Sequence, residues 1–335
     1  MAKKREIIIF AHHGGFGGSL HLTRALNLYS LKYKVHLINA IPAPYGLDDH
    51  AAVASQTMIS DYAKVDSLVS RINHFFICDY QGLIPICKYL SKKYNRVVSH
   101  RVKKQTGFGI LLGFLKTKNI VFFWSGTKYL NNHNIINKWV KDIGCKKRFA
   151  MPDLLRCDPE ALPLYQPFNL SPTDKKFTTF TLCHSPGKKY QYKNGPGGKG
   201  TAFIESAFSH MKSKYDIDYH ILKDCSYDEA LEIKGQSHIF VDQIMPNIGG
   251  MGKSALESFM LGTPVMSDVR FCKFIKPYDG CPVINIESEK VLIKHLDYLY
   301  NNQDALRDIR LEGLKWGRVL SLKNTAVYLD KNISW

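Results

Sequence analysis

Strand-like apolar runs alternate with stretches of helical spacing, first over residues 6–124 and again over residues 177–267, and no other feature limits the fold as much. In the first half, residues 6–11 are an apolar β-rich run, 12–19 a glycine-rich loop, 20–31 a helix by spacing, and 34–39 the next strand. Further strands are expected at 74–78, 96–102 and 119–124, with helices at 83–93 and 110–116. Pro152, Pro159, Pro163, Pro167 and Pro172 then break the rhythm over residues 151–175, a composition that reads as an interdomain linker. The rhythm restarts with strand 177–184, a Gly/Lys-rich loop at 187–200, helix 201–213 and strand 217–222. A short helix at 227–234 opens behind Ser226 as N-cap. Strand 238–243 follows, then helix 254–261 closed by Gly262, then strand 264–267. Strands alternating with helices imply parallel sheets with helices on both faces. The expected architecture is two α/β domains of similar size with a cleft between them.

The bulk numbers agree with that architecture. A chain of 335 residues is long enough for two domains, and 45% hydrophobic content is that of a globular protein, not a disordered one. No apolar run reaches the roughly 18 residues that span a bilayer. The charged start, Met1 to Arg5, leads into an apolar run too short for a signal peptide, so a cytoplasmic location is expected. None of the eight cysteines forms a C-x-x-C pair or sits beside a His at metal-ligand spacing, which points to reduced, mostly buried thiols and no metal site. The net charge is +17, and it is uneven: residues 1–160 hold 24 Lys+Arg against 10 Asp+Glu, leaving only +3 for residues 161–335. Such a field suits nucleic acid, an anionic membrane surface or an acidic glycan, or is simply a soluble basic surface.

The most informative stretch runs strand, loop, helix, strand over residues 238–268. Gly249, Gly250 and Gly252 allow close backbone approach to a ligand just before a helix N-terminus, where N–H groups and the helix dipole suit a phosphate. Glu257, read as lying on the first turn of that helix and facing the cleft, could accept both hydroxyls of a ribose.

With Gly250-Met251-Gly252, Ala255-Leu256-Glu257 and Gly262-Thr263-Pro264-Val265, the chain resembles the retaining GT-B glycosyltransferases of the family-4-like kind. The family's second Glu, which holds the nucleotide ribose, maps to Glu257. Its first Glu, which contacts the donor sugar, falls at Gly249, and Val241-Asp242-Gln243 resembles a subset that lacks it. His184-Ser185-Pro186 followed by Lys199-Gly200-Thr201 resembles the family's diphosphate-binding strand end and Lys-Gly-Thr helix start. The family's phosphate-binding Arg has no exact counterpart, and the resemblance implies that one of Lys188, Lys189 and Lys193 in the loop between them takes its place. In the first half the likeness is one of outline. Gly14 to Gly18 sit where the family has its first-strand glycine loop, and Trp124-Ser125-Gly126-Thr127 where many members have a His-Gly-Ser-Asp-like turn.

The resemblance implies an α/β GT-B fold of two Rossmann-like domains facing across a cleft. Residues 1–155 would form the acceptor side, 156–175 the linker, 176–312 the donor domain, and 313–335 helices that cross back to the first domain. It implies transfer of a sugar from a nucleotide diphosphate sugar, first a UDP-sugar and second a GDP-sugar, to a hydroxyl with retention. No cofactor would be bound permanently, and there is no Asp-x-Asp that would hold a metal. Donor-binding candidates are Gly17, Gly18, His184, Lys189, Lys199, Gly200, Gly249, Gly250, Met251, Gly252, Lys253, Ser254 and Glu257. Catalytic candidates are Lys199, for the leaving diphosphate, with Ser125 and His21. His12, His13 and His21 near the first glycine loop are structural or serve as base or hydrogen-bond donor.

The expected acceptor is a surface glycan or lipid-linked saccharide, presented to the basic first half at the inner membrane surface. The alternative is a hydroxymethylated base in viral DNA, flipped into the cleft in a host cytoplasm. A third reading is a non-catalytic GT-B-like binding protein. Two motifs are set aside. Asn247 to Ser254 ends like a P-loop in Gly252-Lys253-Ser254, but Asn247 replaces its first Gly. The first glycine loop lacks G-x-G-x-x-G spacing, and Asn39 and Ala40 end the second strand where a nicotinamide enzyme needs an acid. The segment 108–114, with flanking lysines, reads as a core helix or a membrane-surface element.

Overall fold

A computed structural model describes residues 4–11, 18–39, 56–78, 83–95, 98, 105–125, 127–145, 147–173, 178–186, 199–245 and 249–333. The chain divides into two compact units, Met1–Pro167 with Leu322–Trp335, and Phe168–Ser321.

The first unit is built on strands β1 (Arg5–Ala11), β2 (Tyr33–Asn39), β3 (Gln56–Met58), β4 (His74–Cys78), β5 (Asn119–Trp124), β6 (Lys147–Ala150) and β7 (Leu162–Pro163). They form one parallel sheet in the order β3-β2-β1-β4-β5-β6-β7. Its helices are α1 (Gly18–Tyr29), α2 (Tyr62–Arg71), α3 (Leu83–Tyr94), α4 (Gln105–Lys116), α5 (Thr127–Leu130) and α6 (His133–Asp142). The period of two along β1 separates two cores. Ile8 and Phe10 pack with Val65, Ile86, Leu111 and Trp139, while Ile7, Ile9 and Ala11 pack with Leu22 and Leu26 on the other face. Leu111 and Leu115 of α4 are fully buried, which favours the core-helix reading of that segment.

The second unit contains β8 (Phe180–His184), α7 (Thr201–Lys214), β9 (Ile217–Ile221), α8 (Tyr227–Gln236), β10 (Ile239–Val241), α9 (Lys253–Leu261), β11 (Val265–Ser267), β12 (Ile284–Asn285), α10 (Glu289–Asn301) and α11 (Gln303–Gly317). Its parallel sheet has the order β12-β11-β10-β8-β9. Leu182, Ile239 and Met266 from three adjacent strands meet Phe208 of α7 and Leu292 and Leu296 of α10 in its core. Ser226 caps α8 in a capping box with Glu229, and Gly262 ends α9 in the left-handed conformation. The last helix, α12 (Leu322–Asn332), returns to the first unit, where Leu329 and Ile333 join the core beneath α1.

Three expectations meet a different structure. The proline-dense stretch is packed, not slack, for most of its length. Pro163 lies in β7, Leu154, Leu155, Leu164 and Tyr165 are buried, and Arg148 of β6 grips Asp158 with Nε–Oδ2 2.6 Å and Nη2–Oδ1 3.1 Å, both side chains nearly buried. Proline is tolerated there because β7 is an edge strand. The C-terminal helices divide at the 3-10 turn Arg318–Leu320, so α11 stays in the second unit and only α12 joins the first. The strand expected at 96–102 lies outside the described residues except for Val98, which is buried and not in a strand.

Candidate functional site

In a parallel sheet the helices that follow the strands begin at one edge, and their N-terminal amides gather there. In the second unit α7 follows β8 and α9 follows β10, neighbouring strands, so two helix starts lie side by side. Each has a glycine N-cap, Gly200 and Gly252, and neither has a side-chain cap bond. Gly200 is obligatory: its φ is +71°, and a Cβ would lie 2.6 Å from the Ile244 carbonyl oxygen.

A buried carboxylate joins the two starts. Asp242, fully buried just beyond β10, accepts from Lys199 Nζ at 2.6 Å and from the Gly252 N–H at 2.6 Å. The glycine loop is anchored in the same way. The Gly250 N–H donates to the Asp268 carbonyl at 2.6 Å, and the Gly250 carbonyl accepts from Gln243 Nε2 at 2.7 Å and Ser267 Oγ at 2.8 Å. Gly249 and Gly250 have φ of +59° and +125°. The loop thus spends its own backbone groups on the protein and presents the start of α9, with Lys253 and half-buried Ser254 in the first turn and Met251 buried beneath.

Glu257 also departs from expectation. It is the fifth residue of α9, in the second turn, and 1% exposed. Lys234 Nζ of α8 lies 2.6 Å from its Oε2, and the Tyr227 hydroxyl donates to its Oε1 at 2.8 Å. Lys253 Nζ stands 3.2 Å from Oε1. Burial opposes its charge, but Lys234 first, then Lys253, hold its carboxyl below the usual range.

His184 ends β8 with no exposed surface. The Val241 carbonyl can only accept, so Nδ1 carries the proton and donates to it at 2.8 Å, leaving Nε2 to accept from the Thr201 hydroxyl at 2.9 Å. Burial pushes the imidazole down to about 3 and keeps it neutral. With both ring nitrogens engaged, His184 pins the first residue of α7 to the sheet and is not presented to a ligand.

The remaining candidates lie elsewhere. Ser125, half-buried, follows β5, and His21 is buried in the first turn of α1, both at the C-terminal edge of the first unit's sheet. Gly18 opens α1. Gly17, His12, His13, Gly126, Lys188, Lys189, Lys193 and Asn247 lie outside the described residues. Trp124 is a core side chain, stacked on Tyr129 at 4.7 Å and donating to Asp158. Asp216 and Asp218 do form an Asp-x-Asp, but at the start of β9, the edge opposite the glycine loop, where Asp218 pairs with Lys212 at 3.2 Å. Three residues with roles at the site had no reading as such: Asp242 as tether, and Lys234 and Tyr227 as partners of Glu257. The only local signal was an acid closing a strand at Val241-Asp242-Gln243.

No protein-family model matches the sequence, and no curated protein matches it. Solved structures do match over nearly the whole chain. HepE of Anabaena, solved in complex with UDP and glucose, is 7% identical with a TM-score of 0.61, covering 98% of this chain and 99% of that one. Sucrose-phosphate synthase from Thermosynechococcus elongatus is 10% identical at TM-score 0.58, covering 98% of each chain. A glycosyltransferase from Rickettsia africae is 11% identical at 0.57, again covering 98% of each. At such identities the likeness is one of fold, and the fold is the α/β GT-B type.

Proposed function

We propose that this chain is a glycosyltransferase that moves a sugar from a nucleoside diphosphate sugar, first of all a UDP-sugar, to a hydroxyl acceptor. The observation that carries the reading is the bridge from Lys199 through Asp242 to Gly252, which sets an ammonium group between two glycine-capped helix starts. That grouping suits the charge that develops on a leaving diphosphate as the anomeric carbon–oxygen bond breaks. The acceptor oxygen then bonds to the anomeric carbon and gives up its proton. HepE, which shares the fold, holds UDP and glucose, which supports the choice of UDP. Retention and independence from a resident metal follow from the resemblance to family-4-like enzymes. Ser125 and His21 are the side chains on the acceptor side that this reading assigns to positioning or proton transfer.

The charge of residues 1–160 supports an anionic acceptor, a glycan on a lipid carrier at an anionic membrane. The same charge favours the second reading, DNA. The test is release of free nucleotide from UDP- and GDP-sugars by wild type and by Lys199→Ala, alongside binding to anionic vesicles and to hydroxymethylated duplex at two salt concentrations. Nucleotide release lost in Lys199→Ala is the expected result. No turnover with any nucleotide sugar would sink the reading, and salt-sensitive duplex binding without vesicle binding would replace the membrane acceptor by DNA.

A further inference from the structure

Buried carboxylates in this chain are met by donors placed for them. Asp242 has Lys199 and the Gly252 N–H, Asp268 has Arg270 at 2.6 and 2.9 Å, and Glu257 has Lys234 and Tyr227. In the first unit Asp158 has Arg148 and the Trp124 indole. Asp153, five residues before Asp158, breaks the pattern. Its Oδ1 is the one carboxylate oxygen among the described residues that is buried with no hydrogen-bond partner. The carboxyl takes a hydrogen bond from its own backbone N–H, and the charged or titratable groups that face it among the described residues are Arg156 and Cys157 of the same turn. The residue as a whole is half-buried. Burial, only partly offset by Arg156, pushes its pKa up to about 7, so the group is about half protonated at neutral pH.

An unanswered buried carboxylate is a standing cost to the fold, and its position indicates what it is kept for. The Met151 N–H donates to the Trp124 carbonyl at 3.1 Å, so the chain leaves β6 beside Ser125, the residue that leaves β5. Asp153 stands two residues further, in a turn closed by the Leu154 N–H on the Met151 carbonyl at 2.8 Å. Buried Leu154 and Leu155 and the Arg148–Asp158 pair hold that turn in place. Asp153 therefore lies on a fixed support at the C-terminal edge of the first unit's sheet, the edge that also carries Ser125 and His21.

We propose that Asp153 is the base of the transfer, its carboxylate taking the proton of the acceptor hydroxyl. The inference rests on the nucleotide-sugar reading. As the acceptor oxygen bonds to the anomeric carbon, the electron pair of its O–H bond stays on that oxygen and the proton passes to Asp153. The pair of the breaking carbon–oxygen bond leaves with the diphosphate. The acceptor hydroxyl supplies the hydrogen bond that the carboxyl lacks, so the cost carried by the empty site is relieved in the filled one. Ser125 and His21 are then left to position the acceptor.

The experiment is the pH dependence of nucleotide release from a panel of UDP- and GDP-sugars, with water as acceptor, over about pH 5 to 9. It uses the full chain as wild type, Asp153→Asn, Asp153→Glu and Lys199→Ala, with calorimetric titration of UDP and GDP and thermal unfolding of each. The wild-type rate is expected to fall below about pH 7, approaching tenfold per unit. Asp153→Asn should lower the rate at pH 8 by about 100-fold or more and flatten the profile, with nucleotide affinity within about twofold of wild type. Asp153→Glu should restore part of the rate together with a titrating limb. Because asparagine keeps the shape and removes a buried charge, Asp153→Asn should unfold at the wild-type temperature or above. A wild-type rate and profile in Asp153→Asn, with release lost in Lys199→Ala, overturns the proposal and leaves the nucleotide-sugar reading intact. A lowered unfolding temperature together with lost nucleotide affinity in Asp153→Asn and Asp153→Glu makes the carboxyl structural and also overturns it. If wild type releases nucleotide from no donor in the panel, the nucleotide-sugar reading fails and the proposal falls with it.

Discussion

At the scale of single residues, buried polar groups keep the C-terminal edge of the second unit's sheet in order. His184 is the clearest case. Its ordinary pKa is near 6.5, and burial pushes it down to about 3 in the folded chain. Between those values the unfolded chain binds a proton that the folded chain refuses, so stability rises with pH across the window. The contribution is complete above about pH 6.5 and is lost as pH falls toward 3. The loss is expected to be a few kcal/mol by pH 4, read by urea denaturation across that range. His184→Asn offers a donor and an acceptor but does not titrate, and it should flatten the slope between pH 6.5 and 4. An unchanged slope in that variant would show that other groups govern the acid transition. Glu257 acts in the same direction lower down, since its depressed carboxyl pKa means that stability is lost as pH falls below the usual carboxylate range.

At the scale of elements, the start of α7 depends on a glycine that no other residue can replace. Gly200→Ala would put a methyl group 2.6 Å from the Ile244 carbonyl and force an L-residue to φ +71°. We expect a loss of about 2 kcal/mol or more, with weakened UDP binding because Lys199 precedes it. Gly113→Ala is the control. It lies in α4 with nothing within 4 Å of the added carbon, and the change should stabilise by about 1 kcal/mol. Urea midpoints that move equally for the two variants would refute this account. Glycines such as Gly200 and Gly262 were legible because their signal is local: a glycine where a helix must start or stop. So was the Ser226 cap. What was not legible depends on partners far along the chain. Lys147-Arg148-Phe149-Ala150 does not look like a strand, because the charge of Arg148 is answered only by Asp158 and Glu160 in the proline stretch. The same holds at the site. Lys199 and the glycines declare themselves, but nothing near Glu257 in sequence says that Lys234 will bury it, or that Asp242 will bind an ammonium 43 residues away.

At the scale of the whole molecule, the chain passes from the first unit to the second at Pro167 and returns at Leu322, so the first unit is completed by the last segment of the sequence. α12 is an integral part of that unit. Asp330 accepts from Ser30 Oγ at 2.5 Å and from the Leu31 N–H at 2.9 Å, and the Tyr33 hydroxyl donates to the Ile333 carbonyl at 2.8 Å. Leu322 and Ala326 pack on Ala25 of α1, while Leu329 and Ile333 fill the core under β1 and β2. Each large side chain buried there contributes roughly 1.5–3 kcal/mol, so losing three of them removes a large part of the 5–15 kcal/mol that holds a typical protein folded. A chain ending at Ser321 is therefore expected to lose hydrogen-exchange protection in β1, β2 and α1. Protection in β8, β10 and α9 should persist, because the second unit closes its own core between Phe168 and Ser321. Retained protection of β1 in the shortened chain would mean that the first unit does not need α12. Loss of protection in β8 and β10 as well would mean that the two units fold as one.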